Sequence, residues 1–398
     1  MSTALLARAD AQARLLALAT PVAAETVTLA AAAGRWLAAD ITARVDHPFA
    51  DLSAMDGFAI RAADLPGPWR VVAEVPAGRL PERAIGGGEA ARIFTGAPLP
   101  PGADTVLVQE DAALDGDRLT LAGAGPGGTG AHVRPRGRDF RAGATIIAAG
   151  ERLVPARIGL AALAGHNRIP VRRRVRVALV STGDELAPPG APLSPGSIHA
   201  ANAPMLAALL ADLPCDVADL GILPDRTAAL ASRLAAAAAD ADVVVTSGGA
   251  SVGAHDCVRP ALAAAGASLD FWRIAMRPGK PMLAGRFADG TIALGLPGNP
   301  VSAFVTGFLF LRPLVAALGG AASPLPRPVA LPLAASLPAN DGREDHLRAR
   351  IEAGCVAPIG VQDSAMLAGL AGADALIVRP AHAPAAAAGE FADVHILA

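Results

Sequence analysis

Several short stretches of this 398-residue chain combine bare backbone with groups able to hold an ion. Residues 246–256 read TSGGASVGAHD, follow the apolar run Val243, Val244, Val245 and end on the acid Asp256. Ser247, Gly248, Gly249, Ser251 and Gly253 supply hydroxyls and exposable N–H groups. Gly248 and Gly253 have the spacing of a phosphate-binding P-loop, but Ala254 and His255 stand where Lys-Ser/Thr would follow, which argues against ATP hydrolysis of that kind. This stretch holds no G-x-G-x-x-G, so the dinucleotide fingerprint fails here as well. A glycine-rich strand-to-helix turn remains. Its N–H groups can cradle an anion without a lysine. A tight turn with no ligand fits the loop equally well.

A second stretch, ALVSTGDEL at 178–186, places Ser181, Thr182 and Gly183 before Asp184 and Glu185. One acid at a helix start serves the helix dipole. Two adjacent carboxylates at a strand end point to a metal or a proton-transfer role. A third, GLPGNPVSA at 295–303, has a stiff Pro297-Gly298 turn, then Asn299 as a helix cap and Pro300 as first helical residue. That helix start can also take an anion. RPGKP at 277–281 brackets a Pro-Gly turn with Arg277 and Lys280, a compact cationic turn in a lysine-poor chain. Further acids lie elsewhere. DLSAMDGFAI at 51–60 sets Asp56 before Gly57, RIFTGAPLPPGADTV at 92–106 exposes Thr95, and VRPRGRDF at 133–140 sets Asp139 after three arginines. Each of these, alone, reads as a surface loop.

The elements around these stretches alternate. Val175–Val180, Val243–Val245, Leu269–Ile274 and Thr291–Leu294 read as strands. Met205–Leu210 and Thr227–Ala239 read as helices, and Val301–Leu318 as an apolar helix kinked near Pro313. Such alternation predicts a mostly parallel α/β sheet with helices on both faces, whose ligands bind at the carboxyl ends of the strands. The ion-holding stretches follow those ends. Before residue 173 an N-terminal helix leads into short strands such as Arg70–Val75 and Thr105–Gln109. After residue 328, Val329–Leu333, Leu347–Ile351 and Ala375–Val378 predict a small β module. Gly/Pro-rich breaks fall at 123–130, 187–196 and 319–328.

The totals are those of a folding chain: 53% hydrophobic, 18% charged, mean hydropathy +0.41. A net charge of −2 from 34 basic and 36 acidic residues calls for neither nucleic acid nor an acidic membrane surface. Cys215, Cys257 and Cys355 form no C-x-x-C, so neither a disulfide framework nor a cysteine zinc site is expected, only small buried hydrophobes. The apolar run Val301–Leu311 is short of the roughly 20 residues of a bilayer span, and Arg312 ends it. Leu5, Leu6, Arg8, Asp10 and Arg14 make an amphipathic start, not a signal peptide. The expected location is the cytoplasm, with no membrane association.

SAMDGFA, IFTGAPLPPGAD, STGDEL, TSGGASVGAHD, RPGKP and GLPGNPVSA occur in this order, and together they resemble the molybdopterin molybdenumtransferases, the bacterial MoeA type also found as the E domain of gephyrin. The resemblance extends over essentially the whole chain. It implies an elongated α/β and β multidomain subunit that forms a homodimer. Residues 1–50 with 141–172 would be a linking domain, 51–140 a β-rich domain, 173–320 the molybdopterin-binding α/β domain and 321–398 a small β-barrel. The implied reaction inserts molybdenum from molybdate into adenylylated molybdopterin, releases AMP and uses Mg²⁺. The enzyme that makes the adenylate and the molybdoenzymes that accept the product are the implied partners.

By the same resemblance, Thr182, Gly183, Asp184, Ser247, Gly248, Gly249, Ser251, Gly253, Pro297, Gly298, Asn299 and Pro300 would hold the pterin substrate. Arg277, Lys280, Ser302, Arg348 and Ser364 would hold molybdate. Asp256 would hold the metal, with Glu185 and Asp225 in the same cleft. Asp56, Thr95 and Asp139 would act from the second subunit. The chain departs from the pattern at Arg277, where lysine is usual, at Ala254 and Arg138, where acids are common, and at Phe58, where tyrosine is common. Two alternatives are a non-catalytic scaffold of the gephyrin kind and a molybdopterin adenylyltransferase or nucleotide pyrophosphatase on a similar domain.

Overall fold

The computed structural model describes residues 5–248 and 257–397. A six-stranded sheet carries the strand ends singled out above, in the order Cys215–Leu223, Val175–Thr182, Val243–Ser247, Ile292–Leu296, Pro281–Arg286, Ser268–Arg273. The first four strands are parallel and the last two are added antiparallel. Side chains alternate between the faces of a strand, and the core divides accordingly. Val175, Val177, Leu179, Val243, Val245, Ile292 and Leu294 pack against the helices Arg8–Leu16, Asn202–Leu209 and the helical run from Pro300 to Leu318. Ala178, Val180, Val244 and Ala293 face the other way, onto Thr227–Asp240 and Val258–Ala264. Both faces are covered, which is why these strands read as continuous apolar runs.

The rest of the chain forms three smaller units. Ala24–Thr28 pairs with Arg168–Arg172, and Ile41–Thr42 with Thr145–Ile147, so the chain leaves this region and returns to it. Between those visits it builds a six-stranded sheet from Gly57–Ile60, Trp69–Val75, Glu89–Ile93, Thr105–Val108, Ala112–Asp115 and Arg118–Leu121. The C-terminal sheet runs Met276–Arg277, Glu344–Glu352, Ala375–Arg379, Phe391–Ile396, Val329–Pro332. Cys355–Pro358 pairs with its longest strand, and a bridge from Leu333 to Val356 curls the sheet back on itself. The mixed α/β and β multidomain architecture expected from sequence is the one observed.

The apolar helix runs the expected length and carries, just before Pro313, a turn its sequence does not announce. Pro300–Thr306 passes into a wider π-helical turn at Gly307–Leu311 and then into Arg312–Leu318. Pro313 has no N–H for the carbonyl four residues earlier, that of Leu309. The side chain of Gln12 supplies the missing donor, with Nε2 at 2.7 Å from the Leu309 oxygen. The run is 19 residues long and apolar enough for a bilayer, contrary to the shorter span read from sequence, but 78% of it is buried in the fold. Arg312 does not end it, because its guanidinium turns aside to Asp212 at 2.6 Å.

Gln12 belongs to a joint that ties the N-terminal helix to the C-terminal module. Arg8 donates to Gln12 Oε1 at 2.6 Å and pairs with Glu344. His346 Nε2 lies 2.9 Å from the same carboxylate. Burial would raise the Glu344 carboxyl, but the hydrogen bonds from His346 and Arg8 hold it at about 2. Replacing Gln12 with leucine keeps the volume and orphans the buried Leu309 carbonyl. The expected loss is about 1–3 kcal/mol of unfolding free energy, measured by urea denaturation. An unchanged midpoint would show that the wide turn satisfies that carbonyl without Gln12.

Candidate active site

Beyond the carboxyl ends of the parallel strands lies a cleft of about 1010 Å³, closed on one side by the C-terminal module. Thr182, Gly183 and Glu185 line it from the first strand end, and Ser247 and Gly248 from the second. Gly248 has a φ of +105°, and a Cβ there would fall 2.5 Å from the Thr182 carbonyl oxygen. Only glycine lets the strand Val243–Ser247 turn so close beside its neighbour. Gly249, Ser251, Gly253, Ala254 and Asp256 lie outside the described residues.

Pro297, Gly298, Asn299, Pro300 and Ser302 form the next part of the wall. Asn299 does occupy the cap position, but its side chain does not cap the helix. Its Nδ2 reaches across to Ser364 Oγ at 3.1 Å, and the Val301 N–H donates to the Ser364 carbonyl at 3.2 Å. The helix start is therefore closed by a loop of the C-terminal module. Asn202, which no motif singles out, donates from Nδ2 to Ser247 Oγ and to the Gly298 carbonyl, each at 2.7 Å. It joins two of the ligand-facing turns.

The cationic turn faces these groups. Arg277 and Lys280 both line the cleft. Arg277 pairs with Asp341 and lies 3.2 Å from Asp345, so two carboxylates of the C-terminal module offset its charge. Lys280 has no ion-pair partner among the described residues, and it is the only lysine in the chain. Arg348 stands outside the cleft wall. It is buried and works as a strut for the loop that carries Ser364. Its Nη1 donates to the Met366 carbonyl at 2.7 Å, its Nη2 to the Val361 carbonyl at 2.8 Å, and its Nε to Gln362 Oε1 at 3.3 Å. No carboxylate hydrogen-bonds it, and burial lowers its pKa. A buried positive charge thus stands behind Ser364. Gln362, also missed in the sequence, completes the strut by donating to the carbonyls of Arg348 and Ile359 at 3.0 and 2.7 Å.

The opposite rim is acidic. Asp225 and Glu185 line the cleft, and Asp184 accepts the Asp225 N–H at 3.2 Å. Burial raises the Asp225 carboxyl, and Asp184 and Glu185 raise it further, with no basic side chain offsetting them. Among the described residues no group of three ligating side chains is close enough to hold an ion by itself. The rim nevertheless has the donor chemistry of a hard cation, carboxylate oxygens carrying excess negative charge. Cys257 donates its thiol to the Asp225 carbonyl at 3.2 Å.

Asp56, Thr95 and Asp139 do not line this cleft. Asp56 and Thr95 do meet: the Thr95 N–H and hydroxyl donate to Asp56 Oδ1 at 2.7 and 2.9 Å and hold that carboxyl below its usual range. Asp139 is exposed, with its N–H on the His47 carbonyl at 3.0 Å, and Arg138 beside it is exposed too. Phe58 is buried, and the Arg92 guanidinium sits 4.9 Å from its ring centre.

Comparison with known proteins places this geometry. Residues 6–165 match the MoeA N-terminal region (domains I and II), residues 178–317 a probable molybdopterin binding domain, and residues 330–397 the MoeA C-terminal region (domain IV). Molybdopterin molybdenumtransferase 2 of Mycobacterium tuberculosis is 38% identical over 92% of this chain and 93% of its own length. The chain belongs to the MoeA family. The molybdopterin molybdenumtransferase of a Nostoc species is 40% identical over 75% of this chain and 70% of its own. The crystal structure of the molybdopterin biosynthesis MoeA protein from Pyrococcus horikoshii OT3 superposes with a TM-score of 0.85 at 26% identity, covering 99% of this chain and 100% of that one. The MoeA architecture thus accounts for the multidomain chain, with the α/β domain between matched N-terminal and C-terminal regions.

Asp225 allows a test with a definite sign. A carboxyl whose pKa is raised on folding binds its proton more tightly in the native state, so stability falls as pH rises from the unfolded towards the folded value. Asp225→Asn removes that loss. The variant is expected to melt higher than wild type at neutral pH in chelator, with the gap closing below the carboxylate range. A melting point equal to wild type at neutral pH would show that the acidic rim carries no strain.

Proposed function

We propose that this chain inserts molybdenum from molybdate into adenylylated molybdopterin and releases AMP. The observation that carries the reading is the cleft itself, where glycine turns, an ammonium with no ion pair among the described residues and an acidic rim face one another. It agrees with the name shared by relatives that match most of the chain. The substrate brings phosphates and an adenylate, which suit the N–H of Gly183 and the hydroxyls of Thr182 and Ser247. Molybdate is a tetrahedral dianion. Lys280 is the cation available to meet it, with Ser302 and Ser364 as hydroxyl donors and the buried charge of Arg348 behind them. The adenylyltransferase alternative is not favoured, because the N-terminal and C-terminal regions are matched as well as the α/β domain, and the scaffold alternative is not favoured, because the relatives that match most of the chain carry the transferase name.

Mg²⁺ belongs to the same proposal, with Asp256 as ligand and Asp225, Glu185 and Asp184 as the acidic rim around it. Bound there, it would screen the phosphates and favour cleavage of the anhydride. The carboxylates of this chain would hold the cation, and the glycine turns would orient the phosphates. A homodimer completes the reading, since Asp56, Thr95 and Asp139 stand away from the cleft of their own chain. The adenylate-producing enzyme, the molybdoenzyme acceptors and a cytoplasmic location come with the proposal.

Two measurements test it. Lys280→Ala is expected to raise the molybdate concentration needed for turnover by roughly tenfold to hundredfold, the worth of a charge-assisted contact, while pterin binding holds. Since Lys280 is the only lysine, acylation of its amine can be followed by peptide mass, and molybdate should protect it. An unchanged molybdate dependence with no protection would remove Lys280 from the site. Light scattering at micromolar concentration should give twice the 39.7 kDa chain mass; a fully active monomer would rule out the shared site.

A further inference from the structure

Asn202 stands at the start of the helix Asn202–Leu209, on the floor of the cleft. It joins the end of the strand Val243–Ser247 to the Pro297-Gly298 turn. The orientation of its carboxamide is fixed by chemistry. The Gly298 carbonyl can only accept, so the atom 2.7 Å from it must be the amide nitrogen. The same nitrogen lies 2.7 Å from Ser247 Oγ. Both amide hydrogens are therefore committed, and Oδ1 is left buried with no hydrogen-bond partner among the described residues. Native folds rarely leave a buried acceptor open, and this one lies where the ligand-facing turns meet.

The consequence falls on Ser247. A hydroxyl that accepts from a neighbour has one hydrogen left to donate. Ser247 is 4% exposed and lines the cleft, and among the described residues its Oγ donates no hydrogen bond. We infer that Asn202 is a positioning residue: it fixes Ser247 as a hydroxyl donor towards an anionic oxygen in the cleft and locks Gly298 to the same register. Accepting from the amide strengthens the outgoing O–H, since chained hydrogen bonds polarise one another. The inference rests on the proposed function only for the identity of the anion, a phosphate oxygen of the substrate.

The test is a double-mutant cycle in the full chain, read as affinity for adenylylated molybdopterin and as AMP release, with a melting curve for each variant. Ser247→Ala and Asn202→Ala are each expected to weaken binding by roughly tenfold, the loss of one hydrogen bond to a charged group. The double variant should bind like the weaker single variant, because Asn202 acts through Ser247. Asn202→Asp keeps the shape but presents an acceptor to Ser247 and to the Gly298 carbonyl. It should bind more weakly than Asn202→Ala above the carboxylate range and recover as that group protonates in acid, a pH profile that loss of folding alone would not give. It serves as the deciding variant should Asn202→Ala fail to fold. Additive losses in the double variant, or an Asn202→Asp affinity with no pH dependence, would overturn the positioning role and leave the proposed function standing. A wild type that binds none of this substrate would overturn both.

Discussion

A two-residue ladder makes the cleft possible. Met276 and Arg277 leave the α/β domain and pair in parallel with Glu344 and Asp345 of the C-terminal module. The turn that carries Lys280 is thereby built into the sheet of another unit. Leu6 adds to the same seam through its bridge to Ile274, with its N–H on the Arg273 carbonyl at 2.8 Å and its carbonyl accepting from Ala275 at 2.8 Å. Backbone ladders are directional and fix register, so distance between the cationic turn and the strand ends is set by main chain and not by flexible side chains. The ion pairs of Arg277 with Asp341 and Asp345 lie on this ladder. The Arg277–Asp341 pair is half exposed and adds little energy of its own, but together with the largely buried Asp345 it anchors the turn and leaves Lys280 as the cation with no ion pair among the described residues.

The same seam explains why the helix start at Pro300 is shared. A helix N-terminus presents unsatisfied N–H groups, and an asparagine at the cap position normally answers one of them. Here the Ser364 carbonyl answers Val301, and Asn299 turns to the Ser364 hydroxyl. The C-terminal module thus closes the cleft with hydrogen bonds the α/β domain would otherwise make alone. The loop that does this has little apolar packing of its own. It is held from behind by Arg348 and Gln362, whose hydrogen bonds run to backbone carbonyls.

The α/β sheet, its helices on both faces and the C-terminal β module were legible in the sequence because each rests on a local period. Alternation within Val175, Val177 and Leu179 marks one face of a strand, and glycine followed by acid marks a strand end. The turns at Gly183 and Gly248 were legible for the same reason, since their positive φ, and at Gly248 a close backbone approach, demand glycine whatever the distant partner. Tertiary partners were not legible. Asn299 looks like a cap in any window of sequence, and only the arrival of Ser364 diverts it. Asn202 and Gln362 are ordinary polar residues until folding sets them beside Ser247 and Arg348. The π-helical turn at Gly307–Leu311 could not be read because the donor that relieves it, Gln12, is almost 300 residues away.

One lysine among 34 basic residues asks for a physical reason. The arginines are used as forks that bind backbone. Arg35 places Nε and Nη2 on the Arg172 carbonyl at 3.0 and 2.7 Å, Arg173 grips Asp242 through two nitrogens at 2.7 Å each, and Arg348 spans three acceptors. A planar guanidinium is suited to such struts because its five donors have fixed directions. Those directions also invite carboxylates and carbonyls, so an arginine tends to be captured by the fold, as Arg277 is by Asp341 and Asp345. An ammonium is a compact point charge with rotatable donors. At position 280 it can stay unpaired among the described residues, turned to a cleft whose other cations are already engaged, and meet a tetrahedral oxyanion without a preferred plane. The chemistry of the site therefore distinguishes two cations of equal charge: the one that holds the wall and the one that is left free to bind.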